Sequence, residues 1–390
     1  MNQSRLLNVD ALRGFALLGI LAVNIWAFAD PYFRSGASHG ASNGALDEAL
    51  RFLVALLFEG KFYLLFSLLF GYSFSLQMDA ARRADADFKA RMRRRGLALF
   101  ALGVLHGCLL FEGDILNTYG LLSLMLLSWR ELETQRAVRR ALRLLVLPAL
   151  LLGAIGSSAL FIESTAGGRD AGEIAAKLAA FQGSAAATQA YVMAQFPGNL
   201  ANLPFMGPSS LAMFLLGFVA GRERLLARID SFRHLLPRVL WICLPVGLVG
   251  EAVIAAYGTL HPSLAGGLIG VSANMLVGPF LTLAYIVLLL MLFETRVGAR
   301  LQAALAPMGR LALSNYLSQS LVLALLFTGY GLGLCNRVPP LGLIGIVLAL
   351  FGAQMALSAW WLKRNTYGPA EWLLRGITNW NWTSSRLRTE

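Results

Sequence analysis

Long apolar runs alternate along the chain with short polar stretches, and the runs have the length of membrane spans. About 20 mostly apolar residues are needed to cross a bilayer as a helix. Runs of that kind fall at roughly 12–30, 61–79, 96–112, 115–130, 144–162, 206–221, 239–257, 267–293, 308–334 and 341–362. The pattern predicts an all-α polytopic membrane protein of about ten transmembrane helices, forming a single integral membrane domain over 1–390. Leu46–Phe58 is amphipathic and too short to span alone, so it is expected at the interface or as a continuation of the second helix. The segment around 163–205 is rich in Ala, Gly and Ser. Within it Ile174, Leu178 and Phe181 recur at helical spacing, which predicts an outer amphipathic helix.

Charge orients the runs. Arginines and lysines gather in the loops 80–95, 130–143 and 222–238 and in the C-terminal tail. With ten spans and a cytoplasmic N-terminus, all four clusters fall on one side, as the excess of positive charge in cytoplasmic loops requires. Both termini are then cytoplasmic. Trp360, Trp361, Trp372, Trp380 and Trp382 suit an aromatic belt at the same interface.

Composition agrees. Hydrophobic residues make up 57% of the chain and charged residues 14%, against about 25% charged in soluble domains. The net charge of +12 sits in short loop clusters rather than on one face, so no nucleic-acid partner is expected. Cys108, Cys243 and Cys335 are far apart, with neither disulfide nor metal spacing, and no metal is expected. Arg5 and Arg13 before an apolar stretch that ends at Ala27-Phe28-Ala29 resemble a signal peptide. The stretch is long enough to span, so it is read as the first helix.

Polar groups inside spans are costly and are functional candidates by default. Asp10 and Arg13 are three residues apart and share a helix face; they either pair at the interface or hold a phosphate at the entrance. Glu59-Gly60-Lys61-Phe62 opens the second helix as an interfacial ion pair with a glycine bend. His106 lies eight residues before Asp114, about 12 Å along a straight helix. A histidine beside a carboxylate is equipped for proton transfer, but contact here requires the hairpin to fold back. In the ninth span Asn315 and Gln319 share a face, where they either bond between helices or line a cavity. Asn24, Glu59, Lys61, Tyr119, Tyr316 and Glu371 complete the expected cavity lining together with these two amides.

The chain resembles the YeiB-like bacterial inner-membrane proteins, a domain of unknown function. The resemblance rests on Val9-Asp10-Ala-Leu-Arg13-Gly14, Glu59-Gly60-Lys61-Phe62, Leu65-Phe66-Ser67-Leu-Leu-Phe70-Gly71, Leu105-His106 and Gly113-Asp114-Ile115-Leu116 with Tyr119. Leu313-Ser314-Asn315-Tyr316-Leu-Ser-Gln319-Ser320 and Tyr367-Gly368-Pro369-Ala-Glu371-Trp372 extend it to the C-terminus. The first helices, within 1–162, are similar to transmembrane acyltransferases that share the Asp-x-x-Arg-Gly entrance, and 206–376 holds the C-terminal helices of the YeiB-like family. That similarity implies a multi-pass protein of the bacterial inner membrane. It would move an acyl group from cytoplasmic acetyl-CoA or another acyl-CoA to a glycan, lipid or small-molecule acceptor at the outer face. The donor would lie on Arg5, Asp10, Arg13 and Arg375, with His106 and Asp114 catalytic. In the acetyltransferase type the histidine precedes helix two; the nearest equivalent is His39, which lacks the surrounding motif. A transporter or exporter, and a scaffold held together by buried polar groups, are the other expectations. Membrane lipids are expected partners, with a homodimer as the assembly.

Overall fold

The computed structural model describes residues 3–32, 44–162, 171–261 and 263–382; the side chains of 3–6, 161–162 and 171 lie outside the described part. His39 therefore falls outside it, as does the side chain of Arg5. The described residues form helices and no strands. In chain order they are α1 (Gln3–Ala29), α2 (Ala45–Leu57), α3 (Phe62–Arg83), α4 (Phe88–Leu109), α5 (Leu116–Ser128), α6 (Thr134–Ile162), α7 (Ala171–Phe181) and α8 (Ala185–Ala201). They continue as α9 (Leu203–Arg222), α10 (Ile229–Phe232), α11 (Leu236–Leu260), α12 (Leu264–Phe293), α13 (Arg296–Arg310), α14 (Ala312–Phe327), α15 (Pro340–Trp361) and α16 (Pro369–Asn379).

The protein is an all-α polytopic membrane protein. Seven helices among the described residues are long and apolar enough to cross a bilayer, or eight if a bent pair counts as one span. Three of the ten expected runs do not stand as single helices of that length and composition. The run 96–112 belongs to α4, whose first two turns carry Lys89, Arg91, Arg93, Arg94 and Arg95. The run 115–130 is α5, whose 13 residues reach about 20 Å, short of the roughly 30 Å hydrocarbon layer. The run expected at 308–334 is α13 followed by α14, bent by 80°. Leu46–Phe58 corresponds to α2 and joins α3 in one apolar stretch, Ala45–Arg83, as the second of its two expected placements has it.

Two close helix approaches set the frame. A methyl group on Gly309 would lie 1.7 Å from the Asp10 carbonyl oxygen, so α13 crosses α1 where only a bare backbone fits. A methyl on Gly217 would lie 1.9 Å from the Leu68 carbonyl, and α3 packs along α9 in the same way. The main core gathers around α1, with Leu12, Leu17, Leu21 and Trp26 fully enclosed. By contrast α11 turns Trp241, Val249 and Val253 outward. Solvent-facing helices carry polar residues at such positions, whereas lipid-facing ones need apolar side chains.

Candidate functional site

The turn between α4 and α5 folds back far enough to join the two residues eight positions apart. His106 Nδ1 lies 2.7 Å from Asp114 Oδ1, and both side chains are buried. The space comes from glycine: a methyl on Gly103 would meet the Asn117 amide nitrogen at 2.1 Å and Asp114 Oδ2 at 2.7 Å. Asp114 also accepts from the Asn117 backbone N–H at 2.9 Å on Oδ2 and from the Tyr316 hydroxyl at 3.4 Å on Oδ1. The carboxylate engages the ring through Nδ1, so Nε2 is the nitrogen left for a further partner. His106 Nε2 is buried and has no hydrogen-bond partner among the described residues. Buried polar atoms are nearly always paired, so this nitrogen stands out as the open position of the cluster. The Tyr316 and Phe111 rings flank the imidazole at centroid distances of 5.1 and 6.3 Å.

The Ala/Gly/Ser-rich segment expected around 163–205 contributes to this cluster. Its described part from 171 holds two helices, α7 and α8, and α8 packs on α4. Asn199 of α8 donates to the Glu112 and Asp114 carbonyls at 2.6 and 3.0 Å and accepts from Asn117 Nδ2 at 3.0 Å. Lys177 of α7 pairs with Glu112 at 2.6 Å. The hairpin is thus clamped from outside by residues that its own sequence does not contain.

At the other end of α4 lies the entrance. Arg13 Nη1 donates to Asp10 Oδ1 at 2.9 Å and Nη2 to Ser73 Oγ, so the shared face of Asp10 and Arg13 is realised as a pair. Arg95 lies within electrostatic reach of Arg13 and Glu371, and Arg310 within reach of Asp10. The Arg95 guanidinium sits 6.0 Å from the Phe70 ring centroid, and its Nε is buried without a partner among the described residues. Read as a loop charge, Arg95 was missed as a site residue; the signal for it was spacing. It precedes His106 by 11 residues, about three helical turns, so both project from one face of α4 about 16 Å apart.

The other expected site residues are dispersed. Glu371 accepts from the Leu313 and Ser314 N–H groups at 2.7 and 3.1 Å, capping α14 just after its bend. Asn315 donates to Ser358 Oγ at 3.0 Å and Gln319 to Gln354 at 2.9 Å, a ladder joining α14 to α15. Tyr119 bonds to Ser67 and to the Tyr63 carbonyl, at 2.7 and 2.9 Å. Arg375 is exposed and stacked on Tyr367 at 4.7 Å. Asn24 is half-buried in α1. Lys61 pairs at 2.6 Å with Glu251 of α11, both almost fully enclosed, and Glu59 lies within electrostatic reach of the same carboxylate. Glu251 was missed too, although a lone carboxylate in an apolar run is itself a signal. Cys335 is buried, which pushes its thiol up to about 12, so it stays protonated and inert.

Along nearly its whole length the chain is 30% identical to uncharacterized protein YeiB of Escherichia coli (strain K12), over 386 residues that cover 96% of each protein. The chain belongs to the DUF418 family. The family model, described as a protein of unknown function, matches residues 220–381. Uncharacterized protein YxaH of Bacillus subtilis (strain 168) is 29% identical over 98% of this chain and 96% of its own length. An uncharacterized 39.9 kDa protein encoded in the amylase 3' region of Bacillus acidopullulyticus is 28% identical over 96% and 94%. Within this DUF418 chain, the family match covers α14 and Glu371, while His106, Asp114 and Arg95 lie N-terminal to it.

Proposed function

We propose that this protein is a transmembrane acyltransferase of the bacterial inner membrane. The acyl group comes from cytoplasmic acyl-CoA and goes to a hydroxyl or amine acceptor at the outer face. The observation that carries the reading is the His106–Asp114 pair with its open Nε2, set three turns along one helix face from Arg95. Arg95 and Arg13 supply guanidinium donors for the phosphates of the donor. Arg95 and His106 stand about 16 Å apart along α4, so a donor that reaches both must be extended.

In the reaction His106 Nε2 takes the proton of the acceptor hydroxyl or amine as that group attacks the thioester carbonyl carbon. The new C–O or C–N bond forms and the C–S bond breaks. The proton held on Nε2 passes to the leaving thiolate. Asp114 steadies the imidazolium that forms in between, a role general bases require of their carboxylate partner. Arg13 and Arg95 bind the donor and take no part in the bond changes.

The test is acetyl-CoA binding and acyl transfer by detergent-purified protein, with longer acyl-CoAs in parallel. Micromolar binding that weakens at least tenfold in Arg13→Ala and Arg95→Ala is expected, with transfer lost in His106→Ala while binding persists. Unchanged acyl-CoA turnover in His106→Ala and Arg13→Ala would sink the proposal. Transport is the second reading, favoured by the enclosed Lys61–Glu251 pair, since ionisable groups within spans mark ion and proton paths. Substrate flux in proteoliposomes without covalent change, abolished in Glu251→Gln, distinguishes it.

A further inference from the structure

The arginine-rich end of the bundle holds a second feature that acyl transfer leaves unused. A cleft of about 360 Å³ opens between the ends of α3, α5 and α9, lined by Asp79, Arg82, Arg130, Glu131, Arg222 and Arg224, with Ser75 at its inner end. Four guanidiniums face two carboxylates, so the cleft is positive. It lies across α3 from the entrance. Ser73, which accepts from Arg13, and Ser75 are two residues apart and point about 200° apart around the helix. Asp79 and Arg82 follow Ser75 on its own face.

Two of the arginines are built into the wall. Arg222 donates to the Leu132 carbonyl at 2.6 Å and to Thr134 Oγ1 at 2.8 Å, and lies 5.3 Å from the Phe218 ring centroid. Arg130 donates to the Leu127 carbonyl at 3.2 Å and pairs with Glu131. The guanidiniums of the other two, Arg82 and Arg224, have no hydrogen-bond or ion-pair partner among the described residues. Arg224 is also conformationally unusual. It follows the last turn of α9 with φ +55° and ψ +36°, and its N–H bonds the Gly221 carbonyl at 3.1 Å. Glycine is the usual residue at such a helix end, and any other residue held in the left-handed region carries backbone strain. An arginine kept there puts a cation at the mouth of the cleft.

We infer that this cleft binds a phosphate group. Guanidinium forks match phosphate oxygens in paired hydrogen bonds, and two unengaged forks between two fixed ones make a receptor for a multiply charged oxyanion. Basic pockets between membrane helices take anionic lipid headgroups by the same chemistry. The phosphate therefore belongs either to an anionic phospholipid or to a soluble organic phosphate.

Native mass spectrometry and thermal unfolding of the full chain in detergent test this, with phosphatidylglycerol and inorganic pyrophosphate as probes. Wild type is expected to bind one probe at one site, and affinity to fall about tenfold for each arginine removed in R82A, R224A and the double variant. Phosphatidylglycerol retained with pyrophosphate ineffective assigns a lipid; pyrophosphate binding without lipid retention assigns a soluble phosphate; either supports the site. Arg224→Gly guards against misfolding: glycine fits the backbone, so thermal stability holds or rises while affinity falls. Equal affinity in wild type and Arg224→Gly for both probes overturns the inference, as does no binding by folded wild type.

Discussion

Two buried polar pairs in this protein, each with a carboxylate as one partner, are built alike and end differently. Lys61 meets Glu251 at 2.6 Å, and the pair is closed: Lys61 Nζ also donates to the Ala55 carbonyl at 2.9 Å, and Asn274 donates to Glu251 at 3.0 Å. His106 meets Asp114 at 2.7 Å, with the carboxylate equally well held, but the second imidazole nitrogen has no partner among the described residues. A charge taken out of water costs several kcal/mol and is tolerated only when its partners are complete. A closed pair spends its hydrogen-bonding capacity on holding helices together. An open nitrogen beside a fixed carboxylate has capacity left for a substrate. Burial of an ionisable group does not by itself mark a reacting centre; an unused hydrogen-bonding position does.

Breaking the closed pair should cost the most stability. Lys61→Met leaves Glu251 uncompensated and is expected to destabilise by about 3–5 kcal/mol, read as a fall in unfolding temperature in detergent. The double variant Lys61→Met with Glu251→Leu should recover most of that loss. If the double variant is as unstable as the single one, the pair is not the structural unit described above. The open pair should respond in activity instead. His106→Gln is expected to lower acyl transfer about 10²–10⁴-fold while changing stability by no more than about 1–2 kcal/mol, measured by single-turnover kinetics beside thermal unfolding.

Smaller effects sharpen the boundary between the two regions. Gly60 has φ +82°, and a methyl there would lie 2.5 Å from Asn274 Nδ2. Gly60→Ala should destabilise by about 1–3 kcal/mol through backbone strain and displacement of the amide that holds Glu251. Denaturant titration of that variant reports the loss. Glu371→Gln weakens the charged cap on α14, at about 1 kcal/mol. A larger loss of acyl transfer than of stability in Glu371→Gln would mean that the bend at α13–α14 positions Tyr316 against Asp114.

Much of the fold was legible in the pattern of apolar runs, because lipid allows only helices with their backbone bonds satisfied internally. Three of the runs do not form single helices of spanning length and composition, through length, charge or a bend. α5 stops after 13 residues, and the apolar part of α4 follows two turns of arginines. Periodicity alone also hid the 80° bend after Arg310, which lies inside one apolar run. Within the candidate site, Asp10 and Arg13 were readable as partners because three residues along a helix is a local distance. His106 and Asp114 were readable as chemistry but not as a contact. Asn199, Tyr316 and Ser73 reach their partners across 60 to 202 positions of chain, and no local rule links such positions.

The sequence by itself determined the class of this protein: all-helical and polytopic, with arginines gathered at one end. Those properties follow from hydropathy and charge, which act residue by residue against the solvent. Tertiary structure alone decided which polar groups are closed and which are open. That depends on whether a second helix brings a donor or acceptor within about 3 Å: α8 and α14 do so for Asp114, α11 for Lys61, α15 for Asn315 and α3 for Arg13. Only packing shows that Asn315 and Gln319 end in a ladder to α15, that Glu251 answers Lys61, and that His106 Nε2 is left without a partner among the described residues.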